Sequence, residues 1–341
     1  MRGIDLNIIW FVLIGALFMG YAILDGFDLG VGAWHLLVKK DEDRRVLLNV
    51  IGPVWDGNET WLVTAGGALF AAFPEAYATV FSGFYLPFML LLVALIFRAV
   101  AIEFRSKQPM RWWRQMWDVS FSLSSILSAL LIGVVLGNLI SGLPLSPDHE
   151  FAGTLGGMLH PYALLVGITT VALFMMHGSI YVVLKTEGTI HDRFRRWANG
   201  GIIFFIICYV TTTMATLIYI PRMATSFRNH PLLFGVAVLN MLAVANIPRE
   251  FNHGRELRAF FSSCAAVGAL LVLFGIGVFP NLVISNPVPG NSLTIYNAAS
   301  SLKTLHIMLV IAFLGMPLVL VYTATIHWIF RGKVKLGKAS Y

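Results

Sequence analysis

Nine runs of mainly apolar residues constrain this chain more than any motif does. They lie near 6–34, 48–73, 77–102, 117–140, 159–184, 197–220, 231–247, 258–279 and 304–330. A helix of about 18 residues or more can cross the roughly 30 Å hydrocarbon core of a bilayer. Within that core every backbone N–H and C=O needs a partner from the protein, which favours helices. The expected fold is an all-α integral membrane protein with nine transmembrane helices, forming a single polytopic domain over 1–341. Two four-helix bundles plus one peripheral helix are a natural division, although no sequence repeat marks it. The seventh run is the shortest, and its loss would invert the topology that follows.

The basic residues give this series of runs a direction. Nineteen of the 24 lysines and arginines follow odd-numbered runs, from Lys39, Lys40, Arg44 and Arg45 after the first to Arg331, Lys333, Lys335 and Lys338 after the last. Arg2, Arg222, Arg228 and Lys303 fall on the opposite side, and Arg98 lies inside the third run. The positive-inside rule then puts the N-terminus outside and the C-terminus in the cytoplasm. A net charge of +7 in short clusters between apolar runs reflects topology and not nucleic-acid binding, which the 57% hydrophobic and 12% charged composition also disfavours. Cys208 and Cys264 sit in apolar runs and read as small buried hydrophobes. The first run lacks an Ala-x-Ala cleavage site and reads as a membrane helix. The connectors 141–158 and 280–303, rich in Pro, Gly, Ser and Asn, read as ordered loops.

Ionisable residues at membrane depth point to function. Each costs about 2.5–3.5 kcal/mol on insertion scales, so such residues usually face a partner, a wet cavity or a pathway. Asp25, Asp28, Asp56, Glu59 and Arg98 are of this kind. The first helix runs inward and the second begins inside, which sets Asp25 and Asp28 at a depth comparable to Asp56 and Glu59. Both pairs have i, i+3 spacing and so share a helix face. Arg98 and Glu103 lie toward the inner end of the third helix, and Asp118 opens the fourth. Closely spaced carboxyl groups near an arginine can relay protons, here inward from cytoplasmic water.

The same residues also admit a packing role. The glycines of Asp25-Gly26-Phe27-Asp28-Leu29-Gly30-Val31-Gly32 suit close helix contact, and its acids could pair with Arg98 or loop bases. Asp118 beside Trp117 suits a helix start within an aromatic belt. Asp56 is the harder one to explain by packing. It follows Pro53 and Trp55 and precedes Gly57 and Asn58, where a broken helix would line a wet cavity. No two histidines share mid-membrane depth on two helices, which argues against a bis-His haem in this chain. No metal-binding cluster, P-loop, nucleophile elbow or dinucleotide fingerprint is present in the sequence.

Three segments in register carry a family resemblance: Asp25 to Gly32, then Trp55-Asp56-Gly57-Asn58-Glu59-Thr60-Trp61-Leu62, then Ala65-Gly66-Gly67-Ala68-Leu69-Phe70-Ala71-Ala72-Phe73-Pro74. Phe81-Ser82-Gly83-Phe84-Tyr85, Phe97-Arg98, Phe104-Arg105-Ser106-Lys107, Trp117-Asp118 and Gly137-Asn138 continue it. Together they resemble subunit II of the cytochrome bd quinol oxidases. The C-terminal half matches mostly in hydropathy, with Ser301 and Tyr322 as scattered agreements.

That resemblance implies a complex of the bacterial cytoplasmic membrane that oxidises quinol and reduces oxygen to water, electrogenically and without a proton pump. It implies a partner, subunit I, that ligates haem b, haem b595 and haem d. It leaves room for a small accessory subunit and a structural quinone. Under it, Asp56 belongs to a cytoplasmic proton route with Asp25 and Asp28 near the mouth, while Trp55, Arg98 and Asp118 support the subunit interface and haem region. Glu59 is a further candidate for this route, but it stands where some family members carry Gln, so the resemblance does not make its acidity a requirement. A secondary transporter or a purely structural scaffold are the alternatives, the first favoured by inverted repeats and the second by indifference to Asp56→Asn.

Overall fold

The computed structural model describes residues 5–337. Arg2 and Lys338, counted in the charge asymmetry above, lie outside this range. The helices are α1 Leu6–His35, α2 Asp41–Ile51, α3 Trp55–Ala72, α4 Pro74–Gly83, α5 Tyr85–Phe104, α6 Arg111–Ser141, α7 Leu155–Met158, α8 Pro161–Lys185, α9 Gly188–Tyr219, α10 Thr225–Asn229, α11 Phe234–Asn252, α12 Glu256–Val278 and α13 Leu302–Ile329. Two short antiparallel strands, β1 Asn281–Val283 and β2 Leu293–Thr294, lie before α13. Among the described residues, eight helices are long and apolar enough to cross a membrane: α1, α5, α6, α8, α9, α11, α12 and α13.

The second apolar run, expected over 48–73, does not form one apolar span. Pro53 has no N–H to donate, and Gly52, Pro53 and Val54 separate amphipathic α2 from α3. Asp56, Asn58 and Glu59 at the head of α3 lower its hydropathy, which keeps it out of the eight. The third run starts earlier than expected and is interrupted at Phe84 between α4 and α5. The seventh run continues through Pro248 to Asn252, because Ile247 and Phe251 are buried in the main core and hold the helix together around the missing donor.

Helix α1 is the central element, packing on α3, α6, α8 and α12. Its second half, Asp25 to His35, is buried throughout. Glycine makes this possible at the α1–α8 crossing: a Cβ on Gly30 would stand 1.9 Å from the Phe174 carbonyl oxygen, and one on Gly178 would stand 2.6 Å from the Gly30 carbonyl carbon. At the opposite end, the two long connectors form a cap. Leu143 bridges to Ser285, Asn291 Nδ2 donates to the Leu145 carbonyl at 2.9 Å, and Leu143, Leu145 and Leu293 join Leu6, Trp10 and Phe73 in a second apolar cluster.

Candidate functional site

Two charged clusters lie along the buried half of α1. Nearer the middle of the helix, both terminal nitrogens of Arg98 donate to the two Asp25 oxygens, one bond at 2.7 Å and the other shorter. Neither side chain reaches solvent. Glu59 lies 3.8 Å from the same guanidinium and is 20% exposed. Asp28, also fully buried, accepts a hydrogen bond from Asn58 Nδ2 at 2.8 Å, while its second oxygen has no partner. Asn58 also donates to the Leu24 carbonyl at 3.3 Å, which fixes the amide between the two acids of α1.

The second cluster centres on Asp118. Its Oδ1 is 2.5 Å from His35 Nε2 and accepts from Arg105 Nε at 2.5 Å, and its Oδ2 accepts from Arg44 at 2.7 Å. Arg105 also reaches Asp41 at 2.7 Å, which Arg114 joins at 2.8 Å. One buried carboxylate thus ties together α1, α2, α6 and the turn after α5. The expectation that Asp118 opens its helix is corrected. Helix α6 begins at Arg111, so Arg111 and Arg114, counted as loop bases, form its first turn and Asp118 lies two turns inside.

Asp56 points differently. It is exposed on α3, as are Thr60 and Thr64 one and two turns later, so a polar stripe runs along the outside of the chain. Gly57 beside it faces α13, where a Cβ would come 3.6 Å from Tyr322. Trp55 is partly buried against the main core. The structure therefore joins Asp25, Arg98 and Glu59, attaches Asp28 to Asn58, and leaves Asp56 without a hydrogen bond or ion pair among the described residues. Sequence reasoning missed His35, Arg44, Asp41, Arg105 and Asn58 as members of these clusters. Arg105 and Asn58 stood inside the quoted motifs, but no spacing rule links His35 to Asp118, 83 residues later.

Among the described residues no group of three or more His, Cys, Asp and Glu could hold a metal ion. His177, a fully buried imidazole, has Nδ1 at 2.7 Å from Ser263 Oγ and Nε2 at 2.9 Å from the Ile23 carbonyl. Both ring nitrogens are engaged within the protein, so this residue does not fit as an iron ligand. His35 has its Nε2 committed to Asp118.

A buried charge ladder inside a polytopic helical membrane protein defines the class, and comparison supplies the family. Residues 6–330 match the family described as cytochrome bd terminal oxidase subunit II. Subunit 2 of the Escherichia coli K12 cytochrome bd-I ubiquinol oxidase is 32% identical over 360 residues, covering 96% of this chain and 95% of the relative. Subunit 2 of the Bacillus subtilis cytochrome bd ubiquinol oxidase is 33% identical over 335 residues, with 97% of each chain covered. A chain in the structure of bd oxidase from Geobacillus thermodenitrificans superposes with a TM-score of 0.81 at 17% identity, covering 96% of this chain and 99% of that one. The chain belongs to the cytochrome bd terminal oxidase subunit II family. It is a multi-pass cell-membrane protein and part of a haem-containing quinol oxidase complex, an oxidoreductase.

Proposed function

We propose that this chain supplies part of the cytoplasmic proton route of the oxidase and stabilises subunit I, which ligates haem b, haem b595 and haem d. The observation that carries this reading is the exposed stripe Asp56, Thr60 and Thr64 beside the buried Asp25–Arg98 pair and the half-buried Glu59. Polar side chains on the outside of a membrane helix are costly against lipid, so the stripe is a surface for subunit I to cover. Asp56 then stands at the seam between the subunits, where a carboxyl group can accept a proton from the Glu59 side and release it toward the partner. Arg98 holds Asp25 in place through bonds to both carboxylate oxygens. Asp28, with one oxygen unpartnered, has the capacity to take and return a proton near the mouth of the route.

The haems of the partner supply electron transfer and oxygen reduction, and oxygen's conversion to water consumes protons as well as electrons. Protons taken from the cytoplasm and quinol protons released outside make turnover electrogenic without a pump.

In this proposal α3 is the ninth span, with the N-terminus outside and the C-terminus cytoplasmic. Its 18 residues extend about 27 Å at 1.5 Å per residue. It runs beside α1 from the Asn58–Asp28 bond, through Trp61 packed with Leu17 and Tyr21, to Ala72 and Phe73 near Leu6 and Trp10. The test is quinol-driven oxygen consumption by the two-subunit complex carrying Asp56→Asn, with the haem spectrum as the assembly control. Full haem content with a large loss of turnover supports proton delivery through Asp56. Full haem content with normal turnover rejects it and leaves a scaffold.

A further inference from the structure

The face opposite the basic loops holds a cation without a counter-ion. Arg222 lies in the short turn after α9, and one of its terminal nitrogens donates to the Ile140 carbonyl at the end of α6. Its Nε is buried with no acceptor, and it makes no ion pair with a carboxylate among the described residues. Burial pushes the Arg222 pKa below its ordinary value, so the cation is held there at a cost that a bound anion would offset.

Arg222 lines a cavity of about 520 Å³ together with Ser141, Gly142, His160, Tyr162 and Tyr219, and no Asp or Glu lies in its wall. The wall is rigidly built. Gly142 adopts φ +86°, and a Cβ there would come 2.9 Å from Asn286 Cβ and 3.2 Å from the Arg222 guanidinium. Asn286 Nδ2 in turn donates to the Ser141 carbonyl at 3.3 Å.

The donors available in this cavity suit an oxyanion. His160 Nδ1 accepts from the Ala163 N–H at 3.3 Å, so the proton of the neutral ring is on Nε2 and free to donate. Thr216 Oγ1 donates to the Thr212 carbonyl, so the Tyr162 hydroxyl donates to Thr216 at 2.7 Å and serves as wall. The Arg222 side chain, His160 and the positive end of the 25-residue α8 therefore border one space.

Three candidate spans end here, at Ser141, Pro161 and Tyr219, which puts the cavity at the boundary between hydrocarbon and water. Leu217, Ile218 and Tyr219 on α9 and Leu164 and Ile168 on α8 present exposed apolar surface next to it. We propose that this cavity binds the headgroup phosphate of an anionic phospholipid, held by Arg222 and His160 with its acyl chains along α8 and α9. With no carboxylate in the wall, the ammonium of a zwitterionic headgroup has no partner. The proposal is independent of the proton route.

The test is native mass spectrometry of the delipidated two-subunit complex titrated with phosphatidylglycerol or phosphatidylcholine, comparing the wild type with Arg222→Gln. The expected result is one phosphatidylglycerol bound by the wild type, with roughly tenfold weaker binding in the variant and for phosphatidylcholine, as loss of one charge-assisted contact implies. Equal phosphatidylglycerol binding by wild type and variant overturns the proposal. Arg222-dependent broadening of the inorganic phosphate resonance without any lipid difference would keep phosphate recognition but overturn the lipid source. Should Arg222→Gln lose its haem spectrum, phenylglyoxal labelling of Arg222 in the wild-type complex decides. Protection by phosphatidylglycerol alone supports the site, and absence of protection overturns it.

Discussion

Arg98 and Asp25 meet as a two-pronged ion pair, 73 residues apart in sequence, with both side chains out of reach of solvent. Two parallel N–H···O bonds give such a pair orientation as well as attraction. The guanidinium Nε is left without an acceptor, and Glu59 stands at 3.8 Å on the same cation. Both neighbouring acids are thus referred to one fixed positive charge.

Removing one member of that pair strands the other. Arg98→Met is expected to cost about 3–5 kcal/mol of stability, whereas Arg98→Met with Asp25→Leu costs far less because no buried charge is left uncompensated. Haem retention by the purified complex on a temperature ramp, for wild type, single and double variants, checks this. A double variant as labile as the single one would contradict it.

Asp118 and Asp41 share Arg105 but differ in burial: the Asp118 side chain is 1% exposed and Asp41 is 47% exposed. Asp118→Asn leaves Arg105 facing a neutral amide in a buried site, with an expected loss of about 3–5 kcal/mol. Asp41→Asn removes a solvated contact and is expected to cost within about 1 kcal/mol. Melting temperatures of the two variants, measured side by side, should separate clearly.

Close approach of α1 and α8 makes a steric prediction. Gly30→Ala drives a methyl group into the Phe174 carbonyl oxygen, a backbone atom that cannot swing aside, and should cost about 1–3 kcal/mol or more. Gly15→Ala on the same helix meets nothing within 4 Å and should be neutral or slightly stabilising, since alanine favours helix. The yield of assembled, haem-loaded complex distinguishes the two.

Glu59 and Asp56 lie on one helix turn, yet the proposed route uses them unequally. Glu59→Gln keeps a polar group beside Arg98 and is expected to leave oxygen consumption within about twofold of wild type. Asp56→Asn is expected to lower it by about tenfold or more, each decade being about 1.4 kcal/mol of barrier. Oxygen-electrode rates at matched haem content test this, and equal effects of the two substitutions would remove the distinction.

Much of the architecture was legible because transfer from water to hydrocarbon is a local property. Run length marks α1, α6, α8, α9, α12 and α13 to within a few residues, apart from the basic starts of α6 and α9. Those starts were missed because Arg111, Arg114, Arg193, Arg195 and Arg196 read as loop bases, although a helix can extend into the interface with its charges outward. The broken second run was foreshadowed by Pro53, since a missing N–H is a covalent fact. For the same reason Asp25, Asp28, Asp56 and Glu59 stood out at once: charge is conspicuous where everything around it is apolar.

Partnership was not legible. Arg98 was equally able to meet Asp25 or Asp28 until the packing of α5 on α6 and of α6 on α1 directed it to Asp25, and the packing of α3 on α1 gave Asn58 to Asp28. His35 is the last residue of α1, and only the convergence of four elements makes it a buried partner of Asp118. Hydropathy, glycine spacing and charge asymmetry thus determined that this chain is a multi-helix membrane protein with carboxylates at depth. Which carboxylates are neutralised, which keep an open oxygen and which face outward was decided by tertiary structure. An ion pair falls off with distance in space, and distance between residues 73 or 83 positions apart is set only when helices pack.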